Sequence, residues 1–258
     1  VQGSAGSTED QFRYGWNYAQ LLARGPSSEA LVASPVMEAM RSGRVARIEE
    51  ITRCLPEVQD SLVSILSERR LAVPELGEHA VAAAPGFALI ATANLRDKGV
   101  SEMTAALKRR FNFESVDPIS DRDAEIALVT AQTTRALEDA GMPASVDEVV
   151  IDALVTAFRD LRSGVSHEGW SVQRPSTVLS TAEAVAVSGS IALAGAFFPH
   201  ARDGVRLIPG QLLGAVRKDD PEDGTRLLAY WDGVVKRRAQ DGAPVWRTLW
   251  DLRGQLEG

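Results

Sequence analysis

Cysteine is almost missing from this sequence of 258 residues, Cys54 being its single thiol. That excludes a disulfide-stapled scaffold and a cysteine-built zinc site, and it fits a reducing compartment. Histidine is scarce too. His79, His167 and His200 lie far apart, without the paired spacing that a structural zinc needs. Basic charge is not in excess: Lys plus Arg number 28 and Asp plus Glu 35, a formal net charge of −7. That balance argues against a nucleic-acid backbone as partner. No apolar run is long enough to cross a bilayer. The most apolar stretch, residues 184–198, is broken by Ser188, Gly189 and Ser190 and reads as a buried helix. No basic-then-apolar leader opens the chain, so a cytoplasmic, membrane-free protein is expected. The dipeptide Gly-Lys is also missing. Gly3-Ser4-Ala5-Gly6-Ser7 is rich in glycine but has no lysine to pair with a phosphate.

What is present is an ordinary globular composition, 45% apolar and 24% charged, in a chain long enough to bury a real core. Val1-Gln2-Gly3 reads as the end of a buried strand. The spacing predicts a helix over 8–24, with Thr8 and Gln11 as a capping box and Phe12, Trp16 and Ala19 on one face. A short helix starts at Pro35 and closes at Ser42-Gly43. Val45 to Ile48 is a strand that ends in Glu49-Glu50. A helix over 56–69, a hairpin over 71–84 and a strand over 87–92 follow, the last an apolar run expected to be buried on both faces. It ends at Ala93-Asn94, and a helix over 102–110 closes on a basic cluster.

Beyond Asp117-Pro118 the pattern is helical, with helices expected near 121–140, 147–161, 175–195, 225–239 and 245–257. Ser145 and Glu148 form a second capping-box pattern. Residues 199–224 read as a linker, Glu222-Asp223 as a solvated loop, and Trp231, Trp246 and Trp250 as a C-terminal core. The fold class is therefore α/β with a mostly parallel sheet, then all-α.

In an open parallel sheet, ligands sit at the carboxyl ends of the strands. Two strands here end in polar residues, Glu49-Glu50 and Asn94. Adjacent carboxylates on a strand tip are either solvated or hold something. If they hold something, one can bind Mg²⁺ directly or through water while the other deprotonates an attacking water. Asn94 on a neighbouring tip could hold the same water or a terminal phosphate, the machinery of metal-assisted phosphoryl transfer. Lys108-Arg109-Arg110 at a helix end either complements the helix dipole or reaches a phosphate in a neighbouring subunit. Arg174, just before Pro175 at an expected helix start, is either a surface residue or the partner of an anion.

The ordered set of these segments carries a resemblance. Gly43 to Arg53 (GRVARIEEITR) looks like a Walker B segment with its extension, and Phe87 to Asn94 (FALIATAN) like a first sensor. Ala106 to Phe111 (ALKRRF) and Arg174 to Glu183 (RPSTVLSTAE) follow in the expected order. Over roughly residues 1–195 the chain resembles the MoxR-type AAA+ ATPases of the YehL-like branch. The resemblance implies an AAA+ parallel-sheet core over 1–116, a helical lid over 117–198 and a C-terminal helical extension over 199–258. It implies ATP and Mg²⁺ as cofactors, Glu49 as the Mg²⁺-organising acid and Glu50 as the general base. Asn94 would be the first sensor, Arg110 the arginine finger with Arg109 a second, and Arg174 the second sensor. The hairpin would project toward the pore of a hexameric ring, and residues 3–42 would hold the insertion that precedes Walker B. Chaperone-like remodelling, with a von Willebrand factor A domain protein as partner, is what such rings imply. Two departures stand out. The first acid is Glu rather than Asp, one methylene longer. The phosphate-binding loop is not in the chain, and the resemblance places it upstream of Val1. Without such a loop the alternative is a nucleotide-independent scaffold.

Overall fold

A computed structural model describes residues 1–94, 101–143, 146–177, 179–198, 201, 203–218 and 220–257. They fall into two compact units, Val1–Glu114 and Ser115–Gly258. The first unit is built around a parallel pair, β3 (Val45–Ile48) and β6 (Ala88–Ala91), in register from Val45 opposite Ala88 to Ile48 opposite Ala91. Gln2 bridges to Glu49 in parallel on the other edge of β3, so the opening tripeptide does extend this sheet. Around it lie β1 (Tyr14–Trp16), α1 (Tyr18–Arg24), β2 (Leu31–Ala33), α2 (Pro35–Ser42), α3 (Pro56–Asp60), α4 (Leu62–Glu68), β4 (Arg70–Ala72), β5 (Ala80–Ala82) and α5 (Ala105–Lys108).

Local chemistry explains most of these boundaries. Ser34 caps α2, its hydroxyl accepting from Met37 N at 3.0 Å, with Pro35 in the first turn. Gly43 ends α2 in the left-handed region, and a Cβ there would lie 2.3 Å from the Pro85 carbonyl oxygen, so only glycine fits. β4 and β5 form the expected antiparallel hairpin. At its turn Glu75 accepts from Tyr14 Oη at 2.8 Å, and burial together with this carboxylate pushes the Tyr14 phenol up to about 12.

Four expectations about this unit need correction. The helix expected over 8–24 is a 3-10 turn (Glu9–Gln11), strand β1 and the short α1. Thr8 makes no side-chain cap bond, whereas Asn17 caps α1 by accepting from Gln20 N at 3.2 Å. Tyr14-Gly15-Trp16 suits an extended segment, and pairing with β2 outweighs the helical spacing. The helix over 56–69 breaks at Ser61, and the one over 102–110 shrinks to α5. β6 is not buried on both faces: Ile90 is 55% exposed, matching Val45 at 54% on β3. The sheet buries one face, through Ala46 and Ile48, against Met37, Met40, Ile51 and Leu62.

The second unit holds α6 (Arg122–Asp139), α7 (Glu148–Ser163), α8 (Thr181–Phe197), α9 (Ile208–Val216), α10 (Glu222–Tyr230), α11 (Lys236–Gln240) and α12 (Pro244–Asp251). A π turn at Trp231–Val235 joins α10 to α11. One apolar core runs through them, with Leu154, Phe158, Leu212, Leu227, Trp231 and Leu249 buried. Trp231 and Trp246 belong to it, as the spacing led one to expect. The linker expected over 199–224 is instead partly α9, whose Ile208, Leu212 and Val216 are fully buried. Asp223 is not solvated either. It is buried and accepts from Ser176 N at 2.8 Å and Ser176 Oγ at 2.6 Å. α8 begins at Thr181 behind a complete Ser180–Glu183 capping box. Asp147 caps α7, while Ser145 lies outside the described residues, as does His200.

Among the described residues of this unit, the buried charges are partnered. Glu125 takes Arg159 at 2.7 Å, Arg162 at 2.8 Å and the Thr181 hydroxyl at 2.7 Å. Arg238 lies between Asp160 (2.8 Å) and Glu168 (2.7 Å), over the Trp246 ring at 4.5 Å. Hydrogen bonds from Arg238 hold the Glu168 carboxyl down to about 2, whereas burial pushes Asp160 up. The two carboxyls therefore act on stability with opposite sign. The Glu168 contribution is present above the ordinary value of 4.5 and is lost as pH falls toward about 2. The Asp160 shift favours folding at low pH and is lost as pH rises through its raised value. Glu168→Gln should flatten the acid limb of stability below the ordinary carboxylate value, read as urea midpoints against pH; an unchanged limb would remove Glu168 from that role.

Candidate functional site

The tip of β3 carries the acid pair. Glu49 N donates to Val1 O at 2.8 Å and Gly3 N donates to Glu49 O at 2.7 Å, so the first strand segment clamps this tip. Gly3 is required there: a Cβ would stand 2.5 Å from Glu50 O and 2.9 Å from Glu49 O. The chain then turns sharply. Glu50 is left-handed, at φ 51° and ψ 47°, one of two non-glycine residues in that region among those described. Ile51 and Thr52, both buried, begin a 3-10 turn behind it.

The neighbouring tip of β6 lies at the same end because the strands run parallel. Ile48 faces Ala91, so Thr92 comes level with Glu49. Thr92 N donates to Ile48 O at 2.9 Å, and Ile51 N donates to Thr92 O at 3.0 Å. Asn94 follows two residues on, exposed and at this same end. Glu49 and Glu50 thus end β3 beside Thr92, the residue that follows β6, while Asn94 lies three residues beyond the last residue of β6.

The acids themselves are half-buried. Glu49 accepts from the Thr92 hydroxyl and pairs with Arg47; the hydroxyl first and then Arg47 hold its carboxyl below the usual carboxylate range. Glu50 pairs with Arg53 at 2.5 Å. Thr92, Arg47 and Arg53 did not emerge from the sequence as site residues. Thr92 is brought opposite the first acid by the register of β3 against β6, which no local sequence signal gives.

The basic residues make contacts of their own. Arg110 follows α5, with its guanidinium on the Ser67 hydroxyl of α4 and, at 2.5 Å, on the Ala106 carbonyl, so it complements the C-terminal end of its own helix. Arg109 beside it is exposed. In the second unit Arg174 does not stand at a helix start, because α8 begins later, at Thr181. Its guanidinium donates to Ser163 O, at 2.9 Å from Nε, on the last residue of α7. A cation there works with the helix dipole, which removes the electrostatic reason for expecting an anion beside it.

The donor set fits a hard divalent cation. Carboxylate and hydroxyl oxygens meet at the tip, and no group of three or more His, Cys, Asp or Glu forms a metal cage among the described residues. Mg²⁺ is commonly held by one or two carboxylates, waters and substrate phosphates rather than by such a cage.

A parallel α/β sheet with paired acids at a strand tip and a polar neighbour on the next tip, followed along the chain by a helical unit, is the architecture of an AAA+ ATPase. The AAA domain of the dynein-related subfamily matches residues 1–111, and the YehL-like AAA+ ATPase C-terminal domain matches residues 123–257. The chain belongs to the YehL-like AAA+ ATPases. It is 42% identical over 258 residues to the uncharacterized protein YehL of Escherichia coli K12, covering 99% of this chain and 70% of that protein. An uncharacterized protein of Staphylococcus saprophyticus is 32% identical over 150 residues, 58% of this chain and 52% of its own length. One of Staphylococcus haemolyticus is 33% identical over 141 residues, 54% of this chain and 49% of its own length. The chain thus matches about half the length of these staphylococcal relatives. No helix among the described residues is long and apolar enough to cross a membrane.

Proposed function

We propose that the full-length protein hydrolyses ATP with Mg²⁺ and that the β3 and β6 tips contribute the water-activating part of the site. The observation that carries this is the juxtaposition of Glu49-Glu50 with Thr92 at the end of β6, two residues before Asn94. Glu50 accepts the proton of a water as it attacks the terminal phosphate. The Asn94 amide orients that water or the phosphate it attacks. Glu49 holds Mg²⁺ directly or through water, and the ion supplies charge neutralisation on the phosphate oxygens. Arg110, with Arg109 as a second, reaches the phosphate of a neighbouring subunit after leaving its own helix end, and Arg174 senses nucleotide from the helical unit.

The same reading makes the protein a MoxR-type ring, hexameric by self-association, that spends hydrolysis on chaperone-like remodelling of a protein partner carrying a von Willebrand factor A domain. Phosphate release from ATP, measured on the full-length protein with Mg²⁺ and again with excess chelator, tests the core of the proposal. Release that needs the metal is expected. Neither release nor nucleotide binding would leave a scaffold role in its place.

A further inference from the structure

We propose that Thr92 is a positioning residue that aligns both acids at once; this rests on the reading of Glu49 and Glu50 given above. A threonine hydroxyl has one proton to give and lone pairs to accept with. Here the proton goes to Glu49 Oε2, and the oxygen accepts the backbone N–H of Glu50 at 3.0 Å. One side chain on β6 therefore fixes the carboxylate of the first acid and the backbone of the second.

The second bond matters because Glu50 is held left-handed, a conformation that costs a non-glycine residue about 1–2 kcal/mol. Such a turn persists only where its surroundings hold it. Around Glu50 those surroundings are the Thr92 hydroxyl, the Ile51 N to Thr92 O bond at 3.0 Å, and the Gly3 N to Glu49 O bond at 2.7 Å. The turn sets the direction in which the Glu50 side chain leaves the strand. The Thr92 hydroxyl links that direction to the orientation of Glu49. Groups that orient a metal-organising carboxylate typically matter about 10–100-fold in metal affinity or activity.

The test uses the full-length protein with Mn²⁺ as a spin-active substitute for Mg²⁺ and a non-hydrolysable ATP analogue. Thr92→Val keeps the shape and loses the hydroxyl; Thr92→Ser keeps the hydroxyl. Thr92→Val should weaken Mn²⁺ binding, read by electron paramagnetic resonance, by about tenfold or more. It should lower kcat more than it raises KM for ATP, while Thr92→Ser restores both. Thr92→Ala should repeat the loss and stands in should the valine variant fold poorly by circular dichroism. Glu49→Gln, run in parallel, separates the two levels of the argument. If Glu49→Gln loses Mn²⁺ and Thr92→Val does not, Thr92 has no positioning role and the acid-pair reading survives. If Glu49→Gln also binds Mn²⁺ normally, the acid-pair reading fails and the role of Thr92 fails with it.

Discussion

Glu50→Gln should leave nucleotide binding intact and cut ATP turnover of the full-length protein by about 10²–10⁴-fold, the usual contribution of a positioned general base. Glutamine has nearly the shape of glutamate but cannot take the proton of an attacking water. The variant also loses the ion pair with Arg53, whose side chain is 47% exposed against 43% for Glu50. An exposed pair of this kind contributes only about 0–1 kcal/mol, so the fold should be unaffected. Phosphate release at saturating Mg-ATP, with a fluorescent-nucleotide titration on the same samples, checks both halves. Full turnover in the variant would take Glu50 out of the base position.

The second large effect concerns the helical unit. Arg238→Ala should destabilise it by about 3–5 kcal/mol, the usual cost of removing one member of a buried ion pair. Arg238 is 6% exposed and Asp160 3%. Without the guanidinium, Asp160 would keep, among the described residues, the Tyr230 hydroxyl at 2.9 Å and the His167 backbone N–H at 3.2 Å. Those neutral donors do not compensate a carboxylate out of water. The Trp246 ring would lose the cation stacked on it at 4.5 Å. Asp160→Asn combined with Arg238→Met should recover part of the loss, because neither charge is then stranded. Urea unfolding of the full-length protein and both variants reads this directly. A shift below about 1 kcal/mol for Arg238→Ala would mean that Asp160 sheds its charge instead.

These two predictions differ in how far the sequence led to them. The position of the acid pair at a strand end was legible because Val45 to Ile48 reads as a short strand that stops at two carboxylates, and the parallel pairing of β3 with β6 follows the α/β pattern. The Asp160–Arg238–Glu168 cluster was not legible. Arg238 lies 70 residues from Glu168 along the chain, as Tyr230 does from Asp160, and no local spacing announces these contacts. Nor could the sequence tell that Asp223 is buried, since its partner Ser176 is 47 residues away. The start of α8 was a different kind of miss. Ser180 and Glu183 spell a capping box, but Pro175 offered a competing start, and only the observed bonds decide between them.

The sequence alone determined the order of the segments, the parallel α/β character of the first part, the helical character of the second, and the adjacency of Glu49 and Glu50. All of these are written in short-range periodicity and in residue type. Tertiary structure decided what lies across from what. It set Thr92 level with Glu49 through strand register, turned Glu50 left-handed against Gly3, converted residues 14–16 from helix to strand, and sent Arg174 to the end of α7 rather than the start of α8. Each of these depends on a hydrogen bond or a packing contact between residues distant in sequence, and such contacts exist only once the chain has closed on itself.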